Sequence, residues 1–188
     1  GYKRSLIYHT WVTLSSTLLG FGLGLVLGVS LSLAIVYSRV MDLSVMPWVI
    51  TSQTIPIIAI APMIIVIMAP MGLTGLMPKG VISMYLSYFP IVIGMPKGLR
   101  SSDPILEDQM KTWSATAFQT FLLLRLPSAL PYLFPAMKIS LAAALVGAVV
   151  AELPSGARAG LGARLLVFSY RSETIPMWAN LVSAAILA

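Results

Sequence analysis

Five stretches of this chain are apolar over lengths that reach or approach a bilayer crossing, and no other property narrows its fold so far. They cover residues 11–37, 47–71, 81–95, 129–151 and 175–188, the third being short and the fifth running to the end of the sequence. A helix needs about 20 mostly apolar residues to cross the hydrocarbon core. Backbone groups left unpaired in lipid are so costly that stretches of this kind are expected to be helical. Composition agrees: 10% of the residues are charged, against about 25% in a soluble domain. The chain is therefore expected to be an all-α membrane protein with about five transmembrane helices, forming one domain over residues 1–188. It begins at Gly1 and stops inside the run LVSAAILA, so at least one flanking helix is expected to lie outside it. Lys3 and Arg4 precede an apolar run too long for the core of a signal peptide.

Several chemistries are excluded early. With no cysteine, there is no disulfide framework, thiolate metal site or cysteine nucleophile. A single histidine, His9, beside six acids makes a metal site improbable, and none is expected. The net charge of +6 is assigned to headgroup contacts at the ends of apolar spans rather than to nucleic acid. The dipeptide Gly-Lys does not occur, so the phosphate-cradling loop G-x-x-x-x-G-K-[ST] is absent and the chain should not hydrolyse ATP itself. G-x-G-x-x-G, H-E-x-x-H and G-x-S-x-G are missing too.

One polar stretch interrupts the apolar pattern. Residues 97–125 hold half of the acids, namely Asp103, Glu107 and Asp108, together with Lys97, Arg100, Lys111 and Arg125. Asp103-Pro104 is a helix start, with Asp at the N-cap and Pro at the first helical position. Ile105, Leu106, Met110 and Trp113 would share one face of that helix. A second amphipathic piece is expected over residues 117–124, after a break at Ser114. Two readings stand: a loop lying on headgroups, or a docking element for a partner.

Within the first apolar stretch Ser16, Gly20, Gly24, Gly28 and Ser32 recur every four residues, a stripe that lets two helices approach closely. The second holds four prolines and the polar trio Ser52, Gln53 and Thr54. Kinked helices with freed carbonyls are tolerated where protein or a water-filled cavity lies alongside. Gln53 either lines a pathway or bonds a neighbouring helix. Glu152 closes the fourth stretch; an acid at that depth is a functional candidate, or caps the loop that follows. Gly156, Gly160 and Gly162 in that loop would turn the chain back at the membrane edge.

The polar stretch also carries a resemblance. Counting back from Leu126-Pro127 puts Leu124, Ser114 and the run Asp108-Gln109-Met110 at the Ile, Gly and Glu-Ala-Ala positions of a known cytoplasmic motif. That motif reads Glu-Ala-Ala, three residues, Gly, nine residues, Ile, any residue, Leu-Pro. It resembles the one in permease subunits of binding-protein-dependent ABC importers, with Asp for Glu, Gln-Met for Ala-Ala and Ser for Gly. The resemblance extends to TLLGFGLGLVLG, SQTIPIIAIAPMIIV, FPIVIGMPKGLRSSD, RLPSALPYLFPAMKIS and AELPSGARAGLG. It looks most like the branch importing nitrate, sulfonates such as taurine, bicarbonate, or thiamine and pyrimidine precursors.

What the resemblance implies is a methionine-importer-like type I permease fold in a bacterial inner membrane. It implies a pair of permease copies, two ATPase subunits and a soluble solute-binding protein, with lipid around them. No cofactor would be bound by this chain, ATP and Mg residing on the ATPase. Residues 97–127 would be the cytoplasmic coupling loop, with Asp108, Gln109, Met110, Trp113, Ser114 and Ala115 at the ATPase contact. Ser52, Gln53, Thr54, Pro56 and Glu152 would lie on the translocation pathway. Gly20, Gly24 and Gly28 would pack helices.

Orientation rests on the resemblance. With the polar stretch inside, Arg39, Lys97, Arg100, Lys111, Arg125 and Lys138 are cytoplasmic. Lys3, Arg4, Arg158, Arg164, Arg171 and a loop containing Lys79 are outside, as is a loop over residues 152–174. That tie of six cations each gives the positive-inside rule nothing to act on. Two other classes fit the composition: a self-contained secondary transporter or channel, which predicts internal repeats and midplane charges that are not seen, and a membrane scaffold docking another partner.

Overall fold

The computed structural model describes residues 6–153 and 159–187, so Lys3, Arg4, Gly156 and Arg158 lie outside the described residues. The described residues form helices joined by short connections, with no strand among them. In chain order they are α1 (Leu6–Tyr37), α2 (Arg39–Ser52), α3 (Ile57–Met68), α4 (Leu76–Leu99), α5 (Pro104–Thr112), α6 (Ala117–Thr120), α7 (Leu126–Glu152), α8 (Leu161–Tyr170) and α9 (Thr174–Leu187). Three are long and apolar enough to cross a membrane: α1, α4, and a run of 36 residues from Ala117 to Glu152 that joins α6 to α7.

The second apolar stretch departs from expectation. It is not one helix but α2 and α3, bent by 101° across a break of a few residues, and counts as a fourth span only if the pair is taken together. Pro56 has no N–H to continue the ladder, and Gln53 and Thr54 close the end of α2 on the carbonyls of Ile50 and Thr51. The expected loop over 152–174 instead contains α8. With 10 residues, α8 is too short to span alone, and α9 runs for 14 residues to the last of the described ones. Lys79, expected in a loop, lies in the first turn of α4 and is buried.

The three long helices form the core, with α4 packed along both α1 and α7. Without a hydrophobic drive in lipid, close packing and hydrogen bonds must hold such helices together, and small residues supply both. Gly20, Gly24 and Gly28 of α1 face Ser83, Ser87 and Ile91 of α4. A Cβ on Gly20 would lie 2.3 Å from the Cβ of Ser83, so that contact has no room for a side chain. Across these seams Ser87 donates to the Gly20 carbonyl at 3.1 Å and Ser83 to that of Ala144 at 2.6 Å. At the end where α1 gives way to α2, Arg100 joins Asp42 at 2.8 Å and the Ile35 carbonyl at 3.4 Å.

Candidate functional site

Helix α5 begins as its sequence dictates. Asp103 at the N-cap accepts from the Ile105 amide at 2.9 Å, Pro104 takes the first helical position, and none of the helix's residues is buried. Ile105 and Trp113 are 75% and 68% exposed, and Leu106 is exposed beside them. Asp108 and Gln109 are exposed, and Asp108 accepts from Lys111, one turn on, at 2.7 Å. Met110 is half-buried. The helix ends at Thr112, and Ser114 two residues on takes a left-handed φ of 54°. Thr116 and Gln119 then form a reciprocal capping box that starts α6.

Glu107 points the other way from its neighbour Asp108. Its carboxylate accepts from Arg125 Nε at 3.1 Å and Nη2 at 3.3 Å, and also from the Ser102 hydroxyl. The hydrogen bond from Ser102, and then that from Arg125, hold the Glu107 carboxyl below its ordinary range. Arg125 closes a π-helical turn, Phe121–Arg125, in which the Leu126 amide reaches back to the Phe121 carbonyl. Between these elements lies a cleft of about 240 Å³ bordered by Tyr37, Lys111, Ala115 and Thr120.

The polar trio sits at the α2–α3 break. Ser52 shares a hydrogen bond of 2.6 Å with the Tyr88 hydroxyl, and Tyr85 donates to the Ser52 carbonyl. Gln53 reaches the Ser52 hydroxyl and the Tyr85 carbonyl, both at 3.4 Å. Thr54 bonds the Thr51 carbonyl at 2.8 Å and, like Pro56, is exposed.

Glu152 is the last residue of α7 and fully buried among this chain's own helices. Lys79 of α4 lies 3.2 Å from its carboxylate and donates to the Ala159 carbonyl at 3.0 Å. Thr13 of α1 donates to the carboxylate at 3.1 Å, while the Gly162 amide does so at 2.9 Å. The Gly160 amide donates to His9 Nδ1 at 3.0 Å, and the Leu161 amide to the Thr13 hydroxyl at 2.9 Å. Gly160, at φ 130°, has the Glu152 carboxyl carbon 2.1 Å from where a Cβ would stand. The carboxylate thus ties α1, α4, α7 and the start of α8 into one knot.

Glu152 thus bonds Lys79, Thr13 and Gly162, whereas Ser52 and Gln53 of the trio the sequence grouped with it bond Tyr85 and Tyr88. The structure also brings in residues that sequence reasoning passed over: Glu107 and Arg125 at one end of α7, Lys79, Thr13 and His9 at the other, and Tyr85 and Tyr88 at the break. The one available signal was the scarcity of acids: a buried carboxylate needs a cation, but its identity depends on the fold.

The chain is similar to known proteins in sequence and in fold. The family described as "Binding-protein-dependent transport system inner membrane component" matches residues 20–188. A probable ABC transporter permease protein of Haemophilus influenzae is 33% identical over 181 residues, 96% of this chain and 72% of that protein. The formylaminopyrimidine transport permease protein ThiX of Halalkalibacterium halodurans is 34% identical over 161 residues, 85% of this chain and 62% of its own length. Among solved structures, one of inward facing conformations of the MetNI methionine ABC transporter superimposes with a TM-score of 0.77. At 21% identity, covering 97% of this chain and 88% of that one, it is a likeness of fold.

Proposed function

Because the chain belongs to the family of binding-protein-dependent transport system inner membrane components, and is thus an importer-type ABC transporter permease of the inner membrane, we propose that it forms the solute pathway and docks separate ATPase subunits through residues 97–127. The observation that carries this reading is α5. It is an amphipathic helix that leaves Ile105, Leu106 and, just past its end, Trp113 exposed, and among the described residues it packs extensively against no other helix. An apolar helical face of this kind fits a hydrophobic groove on a partner. Asp108, Gln109 and Met110 stand on the same helix, and Trp113, Ser114 and Ala115 follow at its end, within reach of that partner. ATP and Mg reside on the ATPase.

Two permease copies, two ATPase subunits and a solute-binding protein complete the assembly. ATP-driven closure of the ATPase pair shifts the permease between its inward- and outward-facing states, through differential affinity for the two. The pathway passes the α2–α3 break, where Ser52, Gln53, Thr54 and Pro56 meet Tyr85 and Tyr88. The solute is small, and the likeness to ThiX supports a pyrimidine-like heterocycle.

The test is purification of the tagged, full-length protein from its host in mild detergent, with every co-purifying chain identified. An ATPase subunit should be recovered with it, and Asp108→Lys should lower that recovery about tenfold, a loss of ~1.4 kcal/mol of docking. Absence of an ATPase from a folded preparation would sink the reading.

A further inference from the structure

We infer that the Glu107–Arg125 ion pair is the joint that makes the docking helix α5 move as one body with α7. The inference rests on the docking role proposed for α5. How a push on α5 reaches the membrane helices is a mechanical question, and the structure narrows the answer.

Among the described residues, helix α5 buries none of its own and packs extensively against no other helix. Its backbone connections are the non-helical residues 100–103 on one side and the turn at Ser114 on the other, while a cleft separates its inner face from the base of α7. Two such connections alone would let it swing. Apart from the Asp103 cap on the Ile105 amide, among the described residues Glu107 is the one residue of α5 whose side chain bonds outside the helix, to Ser102 and to Arg125. The bond to Arg125 is two-pronged, which fixes orientation as well as distance. Arg125 belongs to the unbroken helical run from Ala117 to Glu152, so a displacement received there is received by the whole of α7.

The pair is half-buried, Arg125 30% and Glu107 26% exposed, and a two-pronged bond there fixes the position of α5 as well as adding to stability. Neighbouring carboxylates divide the labour, Asp108 facing outward and Glu107 inward on one short helix.

Glu107→Gln, Arg125→Gln and the swap Glu107→Arg/Arg125→Glu would be compared in the full complex with its ATPase and binding protein. Each single change should lower stimulation by the loaded binding protein, taken per ATPase recovered, about fivefold or more (~1 kcal/mol), and the swap should restore it. The chain has no cysteine, so nitroxide labels at Ile105→Cys and Leu130→Cys report the α5–α7 distance in the permease alone. One narrow distribution should broaden in both single variants and narrow again in the swap. Distances unchanged by either single variant would overturn the joint, whether or not an ATPase binds. Broadened distances with wild-type stimulation would overturn it as well, as would loss of the ATPase itself from the single variants. A wild-type permease that retains no ATPase would defeat the docking role instead, a result recognised before any variant is made.

Discussion

A carboxylate and an ammonium group enclosed together stabilise a bundle only when their remaining lone pairs and protons also find partners, and around Glu152 they do. Removing one side exposes what the other was worth. Glu152→Ala leaves the buried Lys79 ammonium without its counter-charge and the Gly162 amide without its acceptor, and should cost about 3–5 kcal/mol, read as a fall in thermal unfolding temperature in detergent. Glu152→Leu combined with Lys79→Met removes both charges and should recover much of that loss; a double variant as unstable as Glu152→Ala would contradict the pairing. The acid itself was visible in the sequence, being costly at membrane depth. Its partners were not, because Lys79 and Thr13 stand 73 and 139 residues away and only the packing of α1 and α4 delivers them. Lys79 in particular, next to Pro78 and Gly80, reads as loop until α4 is seen to start at Leu76.

At the level of the helix, α1 offers a comparison within a few residues. A Cβ on Gly20 would meet Ser83 Cβ at 2.3 Å, whereas one on Gly22 meets nothing within 4 Å among the described residues. Gly20→Ala should therefore destabilise by about 1–3 kcal/mol through overpacking. Gly22→Ala should be neutral or stabilise by up to about 1 kcal/mol through helix propensity. Unfolding of the two variants side by side decides it, and equal stabilities would refute the close α1–α4 seam. The stripe on α1 was legible because four-residue spacing survives in sequence. Its counterpart on α4 was not: Gly80, Ser83 and Ser87 are spaced less evenly, among aromatic residues and a proline. The bend between α2 and α3 was half legible. Prolines and a polar trio announce a disturbed helix, but the size of the bend comes with the contacts that Tyr85 and Tyr88 make from a different helix.

For the molecule as a whole, α7 is fastened at both ends, by Arg125 to the helix proposed to meet the ATPase and by Glu152 to the knot with α1, α4 and α8. The break at Gln53 lies on neither fastening. Gln53→Ala should accordingly change apparent solute affinity in a transport assay by about threefold to tenfold, on the order of one hydrogen bond, and leave ATPase recovery as it was. An unchanged transport profile would reduce Gln53 to a packing residue. The overall helical plan was legible because lipid permits few alternatives; which side chains meet at the ends of α7 was not, since those pairings join segments far apart in the chain. The turn at Phe121–Arg125 has a consequence of its own. A hydrogen bond that reaches back five residues rather than four holds one amino acid more than a regular turn requires, and a surplus residue is one that a deletion can take away. Losing it would close the turn to ordinary pitch and rotate everything upstream by about 100°, carrying Phe118 and the lead-in from Ser114 around the axis. The length of this one turn, counted in single residues, therefore sets the direction from which the chain reaches the foot of α7.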